Sequence, residues 1–228
     1  MSIELLIPKL KKIRDIGFVP VTGRGSGRFG LTLEALLGLP KNSSKSPDYF
    51  GVEIKTKRGN GLQTLFSRTP SSFLDNKDRR GLVTSHGYTD KKKNRTALYT
   101  SFSSEGDSLG FSLAVSQSDL MVIRHGTPIL RYDHQTIREA LLSKHNETVY
   151  LTVITKKGEK EKEFCRFDKI VYCKFPSYKK FKSLVTSGKI YLDFTLSISS
   201  TGKVKDHGFL WRIYSENLTD LYETTEEV

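Results

Sequence analysis

The chain has 228 residues and two cysteines, long enough for one large domain or two intimate lobes with a real core, which excludes a disulfide-stapled mini-protein. Its 37 Lys and Arg against 25 Asp and Glu leave a net charge of +12, which points to a polyanionic partner such as nucleic acid or an acidic membrane surface. Five acidic and no basic residues follow Arg212, so residues 1–212 carry +17 and the end reads as a solubilising acidic tail.

No window approaches ~18 consecutive apolar residues, and residues 1–12 mix Leu and Ile with Glu4, Lys9, Lys11 and Lys12, so neither a membrane span nor a signal peptide fits. Cys165 and Cys173 lack the second pair or nearby His of a zinc site and read as reduced thiols of a cytoplasmic protein.

Leu5, Leu6, Leu10 and Ile13 recur at helical spacing and predict an amphipathic helix over residues 3–16. Residues 22–30 spell T-G-R-G-S-G-R-F-G, a flexible cationic loop without the G-K-[ST] ending of a phosphate-binding P-loop. It reads either as a hinge or as a phosphate contact through Arg24 and Arg28. A second helix is predicted over residues 31–39, ended by Pro40, and residues 41–47 form a turn-rich link. Residues 49–57 alternate as a strand, with Val52 and Ile54 on one face and Glu53 and Lys55 on the other, and residues 62–66 continue a hairpin. Residues 71–95, with Lys77, Arg79, Arg80, Lys91, Lys92, Lys93 and Arg95, show no apolar period and read as a long basic loop, either a DNA-gripping arm or an insert.

The remainder is rich in strands, over residues 111–115, 120–124 and 129–132. Asp133 caps a predicted helix through Lys144, and residues 148–155 pair with 163–175 in a hairpin around Lys157-Gly158. Tyr178, Phe181, Leu184 and Val185 mark a helix closed by Gly188. Residues 190–198 alternate cleanly between an apolar face and a polar row, and a last strand, 208–214, puts Arg212 on one face with Leu210 and Tyr214. His125, His134 and His145 read as surface residues.

Two acidic groups and a lysine clustered on a strand and its lead-in are what metal-dependent phosphodiester hydrolysis requires. The carboxylates hold hard divalent cations, and the ammonium orients or activates the attacking water. Pro47-Asp48-Tyr49-Phe50-Gly51-Val52-Glu53-Ile54-Lys55 supplies all three, with Glu53 and Lys55 on one strand face, Asp48 in the turn before it and the Ile54 carbonyl as a further metal ligand. Acid-x-Lys triplets also occur by chance, at Asp75-Asn76-Lys77 and Asp90-Lys91-Lys92, but those lack a strand pattern to hold them. From the residues alone, a solvated Glu and Lys pair on an amphipathic strand remains open.

The runs 30–40, 47–56 and 62–70, with Gly188 to Asp193 and Lys205 to Ile213 at the far end, resemble the MvaI/BcnI family of type II restriction endonucleases, relatives of the mismatch-repair nickase MutH. The resemblance implies a mixed α/β fold with a restriction-endonuclease-like PD-(D/E)xK core, a central mixed sheet flanked by helices, and a β-rich DNA-recognition lobe. It implies a catalytic lobe over residues 1–110 and a mainly recognition lobe over residues 111–228, interleaved along the chain. Asp48 and Glu53 become metal ligands, Lys55 the water-positioning base or orienter, and Glu34 a further acidic site residue. The cofactor implied is Mg²⁺, with Mn²⁺ able to substitute and Ca²⁺ able to bind without supporting cleavage.

The partner implied is double-stranded DNA, bound by a monomer in the cytoplasm of a prokaryote and cut at a short GC-rich site to 5′-phosphate and 3′-hydroxyl ends. A cognate methyltransferase is implied to protect the chromosome. Asp193 and Arg212 would face bases, Arg reading guanine and Asp accepting from cytosine N4, or would form a cross-strand ion pair, or both. Thr195 stands where the resemblance implies Arg, which puts the target in doubt. Asp206 and His207 resemble positions near DNA, and His86 is a candidate for insertion toward the central base pairs. Lys57, Arg68, Lys91, Lys92 and Lys93 would neutralise phosphates. The short Asp48 to Glu53 spacing favours a restriction enzyme over a strand nickase. A non-catalytic basic nucleic-acid-binding protein is the reading from another class.

Overall fold

The computed structural model describes residues 2–25, 27–39, 47–75 and 78–228. Pro40, most of the predicted 41–47 link, and Asn76 and Lys77 lie outside them. The described chain forms two compact units, one built from residues 1–61, 142–177 and 218–228, the other from residues 62–141 and 178–217.

In chain order the elements up to Gly61 are α1 (Ser2–Ile16), β1 (Val19–Pro20), α2 (Arg28–Leu36) and β2 (Val52–Lys57). Then come β3 (Leu62–Ser67), β4 (Ser72–Phe73), α3 (Arg79–His86), β5 (Tyr88–Asp90), β6 (Arg95–Phe102), β7 (Phe111–Val115), β8 (Asp119–Arg124), β9 (Thr127–Asp133) and α4 (His134–His145). The last elements are β10 (Glu147–Lys157), β11 (Glu163–Pro176), α5 (Tyr178–Thr186), β12 (Ile190–Ser199), β13 (Val204–Tyr214) and β14 (Tyr222–Glu227).

The first unit is a mixed sheet. β2 pairs parallel with β10, β10 antiparallel with β11, and the outer edge of β11 is shared by β1 and β14. Helix α1 buries Leu6, Leu10 and Ile13 among Phe29, Leu33, Val149, Leu151, Phe167 and Ile170. Each such side chain contributes about 1.5–3 kcal/mol on leaving water. Cys165 and Cys173 are buried free thiols, which burial pushes up to about 11 and about 12. The acidic tail is not a loose end: β14 runs along β11, and its exposed Glu223, Glu226 and Glu227 charge an edge that would otherwise invite pairing with another chain.

The second unit packs two antiparallel sheets, β3-β13-β12-β6-β5 and β4-β9-β8-β7, around aromatic rings. Phe194 lies 5.0–5.4 Å from Phe102, Phe111 and Phe209, and Trp211 meets Tyr132 at 5.2 Å and Phe181 at 5.6 Å. All but the tilted Trp211–Phe181 pair are edge-on, so that one ring's edge meets its neighbour's face.

Several sequence expectations are corrected. Residues 62–66 do not continue a hairpin from β2; β3 pairs with β13, because the apolar side chains Leu65 and Phe66 find their core in the aromatic unit. The supposed long loop 71–95 holds β4, α3, β5 and a 3-10 turn over Lys91–Lys93. Asp78 caps α3 by accepting the Gly81 N–H at 2.8 Å, and the helix buries Leu82 and Val83, too few apolar residues to show a period. Helix α2 starts at Arg28 rather than residue 31. His134 and His145 are not surface residues. The His134 ring bonds the Tyr178 hydroxyl at 2.7 Å, and His145 is fully buried.

Helix α5 ends as its sequence dictates. Gly188 takes φ +74°, and the N–H groups of Gly188 and Lys189 bond the carbonyls of Val185 and Leu184 at 3.1 and 2.9 Å. An alanine Cβ there would also come within 3.1 Å of the Glu105 side chain. Gly188→Ala should therefore cost about 1–2 kcal/mol in urea unfolding, with β-sheet content unchanged by circular dichroism.

Candidate active site

Tyr49 and Val52 exchange two backbone hydrogen bonds of 2.9 Å, closing a tight turn over Phe50 and Gly51 just before β2. The turn folds Asp48 back along the strand, where its Oδ2 accepts the Ile54 N–H at 3.0 Å. Glu53 follows on β2 with only 2% of its surface exposed. A carboxylate so buried needs neighbouring cations, and among the described residues two meet it. Lys55 Nζ lies 2.9 Å from Glu53 Oε1, and Lys144 Nζ lies 2.9 Å from Oε2. The strand thus brings Asp48, Glu53, Lys55 and the Ile54 backbone together as its sequence predicts.

Lys144 is the residue the sequence does not announce. It lies in the last turn of α4, and β10 follows in parallel register with β2, Thr148 opposite Glu53, which returns the helix end to the carboxylate. Beside it lies a buried polar cluster: the Tyr222 hydroxyl donates to Thr148 Oγ1 at 3.0 Å and lies 2.8 Å from the Tyr150 hydroxyl and 3.3 Å from His145 Nδ1. Burial first, then the charge of Glu53, holds the Asp48 carboxyl above its ordinary value; the Ile54 N–H and the charges of Lys144 and Lys55 oppose the rise.

Among the described residues no group of three or more His, Cys, Asp or Glu forms a ready-made cage for a metal ion. Two carboxylates and a carbonyl nevertheless suit Mg²⁺, which keeps several waters and takes substrate phosphate oxygens as further ligands. Glu34 is half-buried on α2, which packs on β2.

The basic residues of the first unit divide. Arg28 grips Glu163 with Nε at 2.6 Å and Nη2 at 3.0 Å, a two-pronged pair that holds the arginine more firmly protonated and the glutamate below its ordinary value. Arg24 is exposed. Lys57 is half-buried, and that burial, with Lys169 nearby, pulls its ammonium below its usual value.

In the second unit Asp193 is 6% exposed and accepts Arg212 Nη1 at 2.6 Å, while Arg212 Nη2 donates to the Leu62 carbonyl at 2.7 Å. The pairing is diagonal across β12 and β13, because Asp193 lies opposite Leu210. Thr195 sits where the register shifts and donates to the Gly208 carbonyl at 2.7 Å. Asp206 takes the Gly208 N–H and pairs with Arg79 Nε at 2.5 Å, next to exposed His207. His86 is not in a loop; it ends α3, with Arg124 Nη1 2.7 Å from its Nδ1. Arg68, Lys91, Lys92 and Lys93 are exposed.

Sheets, helices and this strand site define the restriction-endonuclease-like class. The model of the MvaI/BcnI restriction endonuclease family matches residues 7–222, and the chain belongs to that family. It is thereby a restriction endonuclease, a site-specific nuclease acting on DNA. A solved complex of restriction endonuclease MvaI with its cognate DNA substrate is similar over 98% of this chain and 97% of that one, with TM-score 0.82 and 20% identity. MvaI in the absence of DNA is similar over 100% and 97%, with TM-score 0.59 and 19% identity. No curated protein sequence matches the chain.

Two measurements check this geometry. Lys144→Met leaves Glu53 one cation and should lower stability by about 1–2 kcal/mol in urea unfolding without metal. A carbon-13 titration should place the Asp48 midpoint above that of an exposed aspartate. In Glu53→Gln the midpoint should fall, since a neighbouring negative charge is gone and both lysines remain.

Proposed function

We propose that the protein is a type II restriction enzyme that hydrolyses phosphodiester bonds of duplex DNA with Mg²⁺, using Asp48, Glu53 and Lys55. The observation that carries the reading is the buried Glu53 carboxylate, two strand positions from Lys55 and beside Asp48, in a chain of this family. A divalent cation held by Asp48, Glu53 and the Ile54 carbonyl would supply the positive charge that offsets charge developing on the scissile phosphate.

The side chains do the remaining work. Lys55 lies 2.9 Å from Glu53 Oε1 and, 20% exposed, reaches solvent to orient the attacking water in line with the leaving 3′ oxygen. As the new P–O bond forms the P–O3′ bond breaks; the proton of that water passes to solvent, the departing 3′ oxygen takes a proton from solvent, and the products are 5′-phosphate and 3′-hydroxyl ends. Lys144, 2.9 Å from Glu53 Oε2, holds the carboxylate in place beside Asp48. Glu34 supports the site as a further acid.

Exposed Arg24, Arg68, Lys91, Lys92 and Lys93, with Lys57, bind the backbone in a salt-dependent, sequence-blind way. Base reading falls to the second unit, where Asp193 and the Leu62 carbonyl fix the Arg212 fork for a guanine edge, and Thr195, Asp206 and His207 line the same region. The enzyme acts as a monomer and implies a companion methyltransferase.

Purified protein should convert unmethylated supercoiled plasmid with Mg²⁺ into discrete linear fragments; a stop at open circles would mark a strand nickase. Asp48→Ala and Lys55→Ala should each lower the rate by at least about 100-fold. Unchanged cleavage in both would discard the assignment of the three residues.

A further inference from the structure

The turn that delivers Asp48 is an ill-suited place for the residue at its tip. Phe50 and Gly51 are its two central residues, with φ +45° and +93°. Two positive angles between residues that exchange backbone hydrogen bonds make a type I′ turn, the turn that favours Asn-Gly. Gly51 meets the requirement freely, but a phenylalanine there crowds its Cβ against the backbone. A bulky residue held this way can offset the strain by burying its ring. Phe50 does not: it is 84% exposed, the most exposed of the large apolar side chains among the described residues. The ring meets that of Tyr49 edge-on, 5.1 Å between centroids, but Tyr49 itself is 4% exposed and Asp48 is bonded to the Ile54 N–H, so the turn is anchored at its base. Folding therefore gains little from the ring and bears its strain, the pattern of a residue kept for contact with something else.

We propose that Phe50 is a DNA-positioning residue whose ring packs on the sugar and base edge of a nucleotide next to the cleaved phosphate. The proposal rests on the nuclease reading above. Phe50 is two residues from Asp48, so their Cα atoms are at most about 7.6 Å apart, about two nucleotide rises along one strand. A strand whose phosphate lies at Asp48 therefore passes the ring. A flat apolar face is what sugars and base edges pack against, whereas the exposed lysines and arginines of this basic chain meet phosphates. Pre-setting the ring at a rigid tip spares the entropy of ordering it when DNA arrives.

Two variants test this. Phe50→Asn relieves the left-handed strain, so the unfolding midpoint should rise by about 2–4 °C while KM for unmethylated plasmid with Mg²⁺ rises about tenfold, the loss falling on KM. Phe50→Trp should retain the parent KM. The chain's single natural tryptophan, Trp211, is fully buried, so the indole introduced by Phe50→Trp dominates acrylamide quenching, and duplex DNA should protect it. A Phe50→Asn enzyme with the parent KM, or quenching of the Phe50→Trp protein that DNA leaves unchanged, overturns the proposal. If the parent cuts no unmethylated DNA with Mg²⁺ or Mn²⁺, the nuclease reading fails instead, and the quenching measurement with duplex DNA still decides whether the ring meets nucleic acid.

Discussion

The first unit is organised around one buried carboxylate. Glu53 is 2% exposed, and Lys55 and Lys144 each meet one of its oxygens at 2.9 Å. Removing a carboxylate from water costs several kcal/mol, and charge-assisted contacts on both oxygens are what offset it. That requirement dictates connectivity. Lys55 comes from the same strand, but Lys144 comes from the end of α4, and it reaches Glu53 only because β10 then runs parallel to β2 with Thr148 opposite Glu53. A parallel pairing in an otherwise antiparallel sheet is what the site demands of the fold.

The second unit solves a related problem with different chemistry. Asp193 is nearly as buried, and it accepts one guanidinium nitrogen, Arg212 Nη1, on one oxygen and the Ser101 hydroxyl on the other rather than two ammonium groups. Because Arg212 also donates to the Leu62 carbonyl, its plane is fixed from two sides, the rigidity that bidentate recognition exploits. In the first unit the same device appears between Arg28 and Glu163, where it ties the start of α2 to β11. Arginine serves where a direction must be fixed and lysine where a charge must be supplied.

Much of the fold is legible locally. The strict alternation of residues 190–198 gives β12, the hairpin around Lys157-Gly158 gives β10 and β11, and Gly188 closes α5. What escapes is short or non-local. Helix α3 buries only Leu82 and Val83, below what a helical period can reveal, and its cap Asp78 is one acid among many basic residues. The partner of β3 depends on which core accepts Leu65 and Phe66, a choice that only the aromatic packing makes. The buried ring of His145 looks like any helix-end histidine until Thr148 and Tyr222 are folded around it.

The sequence by itself determines the family, the mixed α/β class and the grouping of Asp48, Glu53 and Lys55, because a tight turn and a period-two strand place those three within a few residues of one another. Only the tertiary structure decides that Lys144 completes the charge balance, that Arg28 and Arg212 are held by carboxylates, and that the acidic tail is an edge strand. Those contacts join residues far apart in the chain. Sheet register and burial set them, and neither is written in any local pattern of residues.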